Sequence, residues 1–371
     1  MIGPMYPWRT GGVAVHVQNV ARNLVPEDDI RVVTPGVSRE NADSDGVHVR
    51  VARRFPVETV PLLPTLPEVL VAARWLRRAS VLHVHDCRYA LAARLIGCPL
   101  ITTFHGYLPN EYLANGGREG LLHTLLVKSV MVAAARSAAC IAVDGRIAAW
   151  LRNHYKPSGA VHVIPNGVDT DKFNLRVEPI SFGVSSPIIF CGKHFAPKCG
   201  TEYAVRAMPW ILKRFSTATL VLAGMETTWR DTCVRAAKEL GVTDRVLFCG
   251  QVPHEQMPAY IAAADVCVVP SVPVEGVEEA TSLFALESMA CGKAVVASKI
   301  GGLRSISENG RTGVLVPPGS PGAIAQAVVE LLRHRDLRDT IGAAAREYVD
   351  ERRSWPHIAN EVHDIYESVR A

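Results

Sequence analysis

The segment from Val266 to Gly302 constrains the fold more than any other part of the chain. It contains two short apolar runs, Val266–Val269 and Ala294–Ala297, each with turn-forming residues beside it, as is typical of strands buried on both faces. About ten residues of the intervening sequence suit a helix. The segment therefore predicts a strand, a loop, a helix and a second strand. In such a unit the loop and the helix N-terminus lie at the carboxyl edge of a parallel sheet, where open α/β proteins bind ligands.

Polar residues cluster at this predicted edge. Thr281 and Ser282 are residue types that cap helix N-termini, and Gly292 stands where a helix C-cap is expected. Glu279 would then lie in the loop, and Glu287 about one and a half turns into the helix, roughly 7 Å farther along. A helix N-terminus binds phosphate, and carboxylates accept hydrogen bonds from vicinal hydroxyls. This arrangement suits a diphosphate with a hydroxyl-bearing ring on each side, which describes a sugar nucleotide.

A plainer interpretation assigns neither glutamate to a ligand. Glu279 would be a solvated acid beside Glu275 and Glu278, and Glu287 would pair with a neighbouring lysine. The surrounding sequence decides between the two interpretations.

The whole motif resembles the signature of the retaining glycosyltransferases of family 4, which have the GT-B fold. It comprises Pro270-Ser271, Glu279, Glu287 with the run Ser-Met-Ala-Cys-Gly-Lys-Ala-Val-Val-Ala-Ser, and Gly301-Gly302. The resemblance extends over nearly the whole chain. The commonest form of the motif has Phe-Gly two and three residues after the first glutamate, where this chain has Thr281-Ser282. Small polar residues still allow a phosphate to approach closely, so we interpret the difference as a subfamily difference in donor preference.

The resemblance implies an α/β protein of the GT-B class, with two Rossmann-like α/β/α domains facing each other across a cleft. A length of 371 residues suits two such domains. We expect an N-terminal acceptor domain at 1–174, a linker at about 174–186 and a nucleotide-sugar donor domain at 187–353. A C-terminal helix, 355–371, is expected to pack back on the first domain.

Composition excludes several classes of protein. A hydrophobic fraction of 48% and a net charge of +4 are typical of a soluble globular protein and give no indication of nucleic-acid binding. The nine scattered cysteines lack a Cys-x-x-Cys pair, which favours reduced core thiols in a cytoplasmic protein over disulfides or a zinc site. Without an 18-residue apolar stretch or a charged-then-apolar leader, we expect neither a membrane span nor a signal peptide.

Two segments leave peripheral membrane contact open. Residues 66–78 form a basic helix that carries Trp75, and residues 116–136 form a mostly apolar helix with basic residues. A basic amphipathic helix can lie on an anionic membrane at the inner face. For residues 66–78 the sequence favours a packed surface helix with solvated arginines.

The chain begins with a short segment before a pair of glycines. Gly11-Gly12 precede apolar residues at helical spacing, Val13, Val17, Val20, Ala21 and Leu24. Glycines at a helix start let the backbone approach a ligand closely. A plain turn would contain the same two glycines. The family resemblance implies that they lie beside the donor phosphates. Only Met1-Ile2 precede Gly3-Pro4, where such a domain usually has a longer central strand. We therefore expect the native chain to extend upstream of Met1.

Histidines follow two predicted strands of the first domain. His83 and His85 would share a strand face, but a metal site needs a third or fourth ligand, so we expect no metal there. His105 follows the strand at 100–104. A lone histidine is more often structural, but the resemblance implies that His105 faces the reacting sugar and the acceptor.

Two lysines follow the first strand of the second domain. Lys193 and Lys198 lie five residues apart across a loop, so both can converge on an anion; solvated lysines are the alternative. The resemblance implies that they hold the donor diphosphate. The family usually has arginine at the first position, and Lys193 keeps the charge without the bidentate geometry. Gln251 and Val252 stand where relatives contact the nucleobase through main-chain groups.

The function implied by the resemblance is transfer of a hexosyl unit, with retention, from a UDP- or GDP-sugar to a hydroxyl of a glycan, lipid or small molecule. Charge on the departing diphosphate would be stabilised by preorganised groups, namely Lys193, Lys198, the N–H groups at Ser282-Leu283 and the Gly11-Gly12 amides. Glu279 would hold the sugar hydroxyls and Glu287 the ribose, so that the reacting geometry is fixed. We expect no metal and no other cofactor.

Two other functions stay open at this stage. One is a sugar-nucleotide epimerase of the same fold, which needs no acceptor, and the other is a non-catalytic sugar-nucleotide-binding protein. A dehydrogenase is poorly supported because no Gly-x-Gly-x-x-Gly follows a strand.

Overall fold

Each of two units of the chain is built on a β-sheet with parallel strands. The coordinates are a computed structural model, which describes residues 1–3, 12–36, 42–44, 46–53, 76, 79–90, 97–114, 117–225, 227–307 and 310–370. The first unit comprises Met1–Asn166 with Trp355–Ala371, and the second comprises Gly167–Ser354. The boundary therefore lies before residue 174. The expected linker belongs to the second unit, where Phe173 and Phe182 pack on the core.

The strands of the first unit are β1 (Arg31–Gly36), β2 (Ala42–Ser44), β3 (Val47–Arg53), β4 (Leu82–Val84), β5 (Leu100–Phe104), β6 (Ala139–Ala142) and β7 (Ala160–Val163). β4 to β7 pair in chain order, all parallel. β1 pairs parallel with β3, which pairs antiparallel with β2. Ile2 forms parallel bridges to Val33 of β1 and Val84 of β4, so residues 1–3 lie where a central strand was predicted.

The helices of the first unit include α1 (Gly12–Leu24), α2 (Leu108–Ala114), α3 (Leu121–Arg136) and α4 (Gly145–Tyr155). α1 buries Val17, Val20, Ala21 and Leu24, as the apolar spacing predicted. Asp144 caps α4 by accepting hydrogen bonds from the backbone N–H groups of residues 146 and 147, a local reason for an acid directly after β6.

The strands of the second unit are β8 (Ile188–Cys191), β9 (Thr219–Leu222), β10 (Val246–Phe248), β11 (Val266–Val269), β12 (Val295–Ser298) and β13 (Val314–Val316). They form one parallel sheet in the order β10-β9-β8-β11-β12-β13. This is the doubly wound order, in which the chain reverses direction across the sheet between β8 and β11. β8, β9, β11 and β12 are buried along their whole length, as expected for apolar runs without alternation.

The helices of the second unit are α5 (Thr201–Leu212), α6 (Trp229–Glu239), α7 (Met257–Ala262), α8 (Leu283–Ala290), α9 (Pro321–Arg333) and α10 (Arg335–Arg352). Two buried apolar clusters fill the space around the sheet. The last helix, α11 (Trp355–Arg370), packs on α1 and so belongs to the first unit. Its Arg370 and His363 both contact the Asp28 carboxylate, at 2.7 and 3.0 Å.

The structure describes only one of the two segments for which the sequence left membrane contact open. Residues 66–78, except Leu76, lie outside the described residues. Within 116–136, α3 exposes Leu121 and Met131, and its membrane contact stays a prediction. Among the described residues, no helix combines the length and the apolar character needed to cross a membrane. All nine cysteines are free thiols. Seven of them are buried, as the sequence predicted for core thiols.

Candidate active site

A charged cluster of the second unit lies where its sheet reverses direction. Lys193 follows β8, and Glu279 lies in the loop between β11 and α8. β8 and β11 are neighbours in the sheet, so the carboxyl ends of both strands meet at this point. Ligands of open α/β sheets bind in the crevice outside such a switch point.

A buried ion pair forms the centre of this cluster. Lys193 Nζ lies 2.6 Å from Glu279 Oε1, and the side chains are only 9% and 13% exposed. Ser271 Oγ donates to Glu279 Oε2 at 3.4 Å, and Ser282 Oγ lies 3.5 Å from Lys193 Nζ. Burial and pairing exclude the alternative in which Glu279 and Lys193 are solvated surface charges.

Both members of the pair are held in their charged forms. Burial acts to lower the pKa of Lys193, but the adjacent Glu279 carboxylate more than offsets it, so this pKa is raised above its ordinary value. Burial acts to raise the pKa of Glu279, yet Lys193, with a smaller contribution from Lys198, leaves this pKa below its ordinary value. The site therefore holds a fixed cation and a fixed anion in contact.

Two glycines hold the loop that carries Glu279. Gly302 N–H donates to the backbone oxygen of Glu279 at 3.0 Å, and Gly301 N–H donates to Glu278 Oε2 at 2.6 Å. Gly301 has φ +44°, and a Cβ on it would lie 1.8 Å from the backbone carbonyl oxygen of Glu279. Only glycine fits there, which gives a physical reason for the Gly301-Gly302 of the sequence motif.

The helix that follows begins as predicted. Ser282 is the N-cap of α8, and its Oγ accepts from Ala285 N–H. The start of α8 lies beside the Lys193 ammonium, because Ser282 Oγ is 3.5 Å from Lys193 Nζ. α8 ends at Ala290, and Gly292 has the left-handed φ of +67° that often follows a helix end. Thr281, the other predicted cap, precedes the N-cap and is half-buried.

The remaining predicted donor-site residues of the second unit lie at the same edge of the sheet. Lys198 is half-buried in the short turn Pro197–Cys199, and its charge helps to lower the pKa of Glu279. Gln251 and Val252 follow β10, with Gln251 exposed and Val252 buried. The structure therefore groups the lysines, Glu279 and the start of α8, while Gln251 and Val252 follow the outermost strand.

Glu287 has a partner that the sequence analysis did not identify. His254 Nε2 lies 2.8 Å from Glu287 Oε1, and Lys172 Nζ lies 2.9 Å from His254 Nδ1. The partner is thus a histidine and not the neighbouring lysine of the plainer interpretation. Burial lowers the pKa of Lys172, although the carboxylates of Glu255, Glu287 and Asp169 act in the opposite direction.

The first unit brings His105 together with two other histidines. His16 lies on α1, His85 follows β4 and His105 follows β5. One ring nitrogen from each lies within 4.8 Å of the others, and His85 Nδ1 is 3.4 Å from His105 Nε2. Burial lowers the pKa of His16 to about 4. Burial, reinforced by neighbouring imidazoles, also holds the pKa values of His85 and His105 well below the ordinary value.

This cluster differs from the strand-face pair considered in the sequence. His83 uses both ring nitrogens elsewhere, since Nδ1 lies 2.8 Å from Tyr366 Oη and Nε2 lies 2.6 Å from Thr103 Oγ1. His16 was missed because nothing local marks a histidine on the buried side of a helix as a neighbour of residues 85 and 105. Of the predicted glycine pair, Gly12 is the exposed first residue of α1, and Gly11 lies outside the described residues.

Comparison with known families gives matches to both parts of the chain. Residues 10–172 match the model described as Glycosyltransferase Family 4, and residues 186–334 match the model described as Glycosyl transferases group 1. An uncharacterized glycosyltransferase of Methanocaldococcus jannaschii is 30% identical, over 97% of this chain and 95% of its own. A GDP-mannose-dependent alpha-(1-6)-phosphatidylinositol monomannoside mannosyltransferase of Mycolicibacterium smegmatis is 25% identical, over 94% of this chain and 93% of its own.

Comparison with solved structures identifies the fold. The Anabaena protein HepE in complex with UDP-glucose superposes with a TM-score of 0.77 and 20% identity, over 99% of both chains. Together with the mainly parallel strand pairing in both units, this likeness shows the GT-B fold that the sequence predicted.

Proposed function

Because the chain belongs to the group 1, family 4 glycosyltransferases, we propose that it transfers a hexosyl unit from a UDP- or GDP-sugar to a hydroxyl group. We further propose that the anomeric configuration is retained and that no metal is required. The acceptor would be a glycan, a lipid or a small molecule. Two names support a nucleotide-sugar donor: the similar mannosyltransferase is GDP-mannose-dependent, and HepE was solved with UDP-glucose.

One observation carries the proposal: the Lys193–Glu279 pair lies beside the N-terminus of α8 at the switch point of the second sheet. A cation and free N–H groups suit a diphosphate, and a carboxylate suits sugar hydroxyls. An ammonium has three N–H donors. Lys193 can therefore keep its contact with Glu279 while it donates to a phosphate oxygen, which would couple diphosphate binding to sugar binding.

The proposed chemistry is cleavage of the anomeric C–O bond of the donor. As this bond opens, negative charge grows on the diphosphate, and fixed positive groups stabilise that charge before the reaction begins. Lys193, Lys198 and the N–H groups at Ser282-Leu283 supply these groups in the second unit, and the Gly11-Gly12 amides keep the same predicted role. With lysines and amides in this role, transfer needs no divalent metal.

The two glutamates would fix the donor on either side of the diphosphate. We assign Glu279 to the sugar hydroxyls and Glu287 to the ribose, while Gln251 and Val252 would contact the nucleobase through main-chain groups. We assign His105 to contact with the transferred sugar and the acceptor, as the family resemblance implies. A cytoplasmic location is part of the proposal, supported by nine free thiols.

A thermal-shift panel tests the donor class first. UDP, GDP, ADP and their sugars are added singly, since a ligand that binds only the folded state raises Tm. We expect UDP or GDP and the matching sugars to raise Tm, and Lys198→Ala to remove the shift. Lys213→Ala, at an exposed lysine after α5, is the control and should keep the shift. A panel without any shift, or an unchanged shift in Lys198→Ala, would contradict the donor site.

A product assay tests the rest of the proposal. The stabilising donor is incubated with hydroxyl acceptors in the presence of a chelator, and the product anomer is determined by NMR. We expect chelator-resistant transfer with the donor's anomeric configuration. An inverted product would contradict retention, and loss of transfer that added metal restores would contradict metal independence. Conversion of the donor to another sugar without acceptor would indicate an epimerase.

A further inference from the structure

We propose that His16, His85 and His105 of the first unit form a binding site for a late first-row transition-metal ion, best suited to Zn²⁺. The three imidazoles lie on three different elements, α1 and the ends of β4 and β5. Their ring centroids are 4.6 to 5.6 Å apart. Imidazole nitrogens are the ligands that Zn²⁺, Cu²⁺ and Ni²⁺ share.

The spacing of the nitrogens fits tetrahedral coordination. With Zn–N bonds of about 2.0–2.1 Å, two ligand nitrogens around a tetrahedral ion lie about 3.3–3.4 Å apart. His85 Nδ1 and His105 Nε2 already have a separation of 3.4 Å. One nitrogen of His16 lies within 4.8 Å of the ligand atoms of both partners, so a small side-chain movement of His16 completes the triangle.

The hydrogen bond on His16 is the kind that orients a metal ligand. His16 Nδ1 lies 2.9 Å from Asn166 Oδ1. An amide oxygen only accepts, so Nδ1 carries the proton and the lone pair is on Nε2. Metal-bound histidines usually donate their other ring N–H to a carbonyl or carboxylate in this way. Asn166 is buried, and its hydrogen bond therefore fixes the tautomer of His16.

Among the described residues, His85 has a hydrogen-bond partner only within the cluster, since its Nδ1 faces His105 Nε2. His85 Nε2 is buried without a hydrogen-bond partner among the described residues. His83, the nearest other imidazole to His85 at 4.1 Å between centroids, is held by Tyr366 and Thr103. The structure thus selects three of the four clustered histidines. His16 and His85 are buried and His105 is partly exposed, so water or an anion would reach the fourth position from the side of His105.

A bound ion would oppose the proposed transfer reaction. This consequence rests on the proposed function, in which His105 contacts the transferred sugar; metal binding itself does not. Coordination of His105 Nε2 would replace this contact with a bond to the metal. Zn²⁺ should therefore inhibit an enzyme that a chelator leaves fully active.

Cobalt substitution tests the site without reference to activity. The full chain, stripped with a chelator, is titrated with Co²⁺, and visible absorption is recorded. We expect one equivalent to give the intense bands of a tetrahedral site without thiolate charge transfer, and Zn²⁺ to displace it. His16→Gln should weaken binding by at least the roughly 10–100-fold typical of losing an outer-shell partner. His154→Gln, at an exposed histidine of the same unit, is the control and should bind normally.

Asn166, the hydrogen-bond partner of His16, provides a second pair of variants. Asn166→Leu, which cannot accept from His16, should weaken Co²⁺ binding by about 10–100-fold. Asn166→Asp keeps an acceptor oxygen and should retain binding. Equal binding by both variants would overturn the assigned role of Asn166.

X-ray absorption of the wild-type protein with one equivalent of Zn²⁺ decides the ligands even if a variant fails to fold. Nitrogen and oxygen ligands at about 2.0–2.1 Å with imidazole scattering are expected. Sulfur ligands, no saturable binding at one equivalent, or unchanged Co²⁺ affinity in His16→Gln would overturn the site. If no donor supports transfer, the proposed function fails, while the metal titrations still give their answer.

Discussion

The two parallel sheets end in different chemistry at their carboxyl edges. In the first unit, the ends of β4 and β5 place His85 and His105 beside His16, and burial keeps these rings neutral. In the second unit, the ends of β8 and β11 lead to a buried contact between the charges of Lys193 and Glu279. The same kind of sheet edge therefore presents lone pairs in one unit and fixed charges in the other.

The difference shows which unit suits which ligand. Fixed charges with a helix N-terminus suit an anion whose charge grows during a reaction. Neutral imidazoles suit a metal ion, or contact with uncharged sugar atoms. The fold supplies the edge in both units, but the residues on it decide what the edge binds.

The largest effect is expected from removing the charge of Glu279. Glu279→Gln should lower kcat by about 10²–10³, or about 2.7–4 kcal/mol, the range for one preorganised transition-state contact. Steady-state kinetics at saturating donor gives the value. Glu275→Gln, an exposed acid of the same loop, is the control and should be near wild type. A Glu279→Gln enzyme with wild-type kcat would refute the assigned role.

The same variant should also cost stability, because it leaves Lys193 buried without its counter-charge. We expect the free energy of unfolding to fall by about 3 kcal/mol at pH 7, the low end for breaking a buried pair. The pKa of Glu279 is lowered on folding, so the pair stabilises the protein above the ordinary glutamate pKa, and this contribution is lost as the pH falls through the lowered pKa. The pKa of Lys193 is raised, so the contribution is complete below the ordinary lysine pKa.

Denaturant unfolding across pH measures this prediction. The difference between wild type and Glu279→Gln should be constant near neutral pH and should shrink in acid, where protonated Glu279 resembles glutamine. If the stability difference between wild type and Glu279→Gln were the same in acid as at neutral pH, the pair would not be charged as described. Lys193→Met with Glu279→Leu should recover part of the lost stability, because an apolar pair needs no counter-charge.

A smaller effect is expected from His254, which positions Glu287. His254→Ala removes a hydrogen bond to a carboxylate, and such bonds contribute about 1.5–3 kcal/mol. Part of this should appear as an approximately tenfold weaker nucleotide affinity, with kcat unchanged. Calorimetric titration with the nucleotide provides the measurement. His334→Ala removes an exposed His–Glu contact and serves as the control. An unchanged nucleotide affinity in His254→Ala would contradict the proposal that His254 positions Glu287 for ribose binding.

The smallest effect is expected at a glycine of the first unit. A Cβ on Gly145, the first residue of α4, would meet no atom within 4 Å, unlike a Cβ on Gly301. Gly145→Ala should therefore stabilise the protein by about 0.4–1 kcal/mol through the unfolded state and leave transfer unchanged. Thermal unfolding reports the gain. A lower Tm in Gly145→Ala would show that this position, like Gly301 in the second unit, has no room for a Cβ.

Local sequence patterns predicted much of the second unit. The apolar runs became β11 and β12, Ser282 became an N-cap, and Gly292 follows the end of α8. Each of these depends on neighbours in the chain or on a short motif, for which residue spacing is a direct signal.

Contacts between distant residues were not predictable in this way. His16 pairs with Asn166 across 150 residues, and His254 pairs with Glu287 across 33. Packing of whole elements creates such pairs, and no periodicity records them. The position of Ile2 shows the same limit, because its bridges to Val33 and Val84 depend on where β1 and β4 lie in the sheet.

The proposed function depends on binding of the donor diphosphate at the Lys193–Glu279 edge of the second sheet. A crystal structure with the nucleoside diphosphate that raises Tm most tests it directly. We predict phosphate oxygens about 2.7–3.2 Å from Lys193 Nζ and from the N–H groups at Ser282-Leu283. A well-ordered nucleotide bound elsewhere, with the Lys193–Glu279 pair in contact with no phosphate, would contradict the claim.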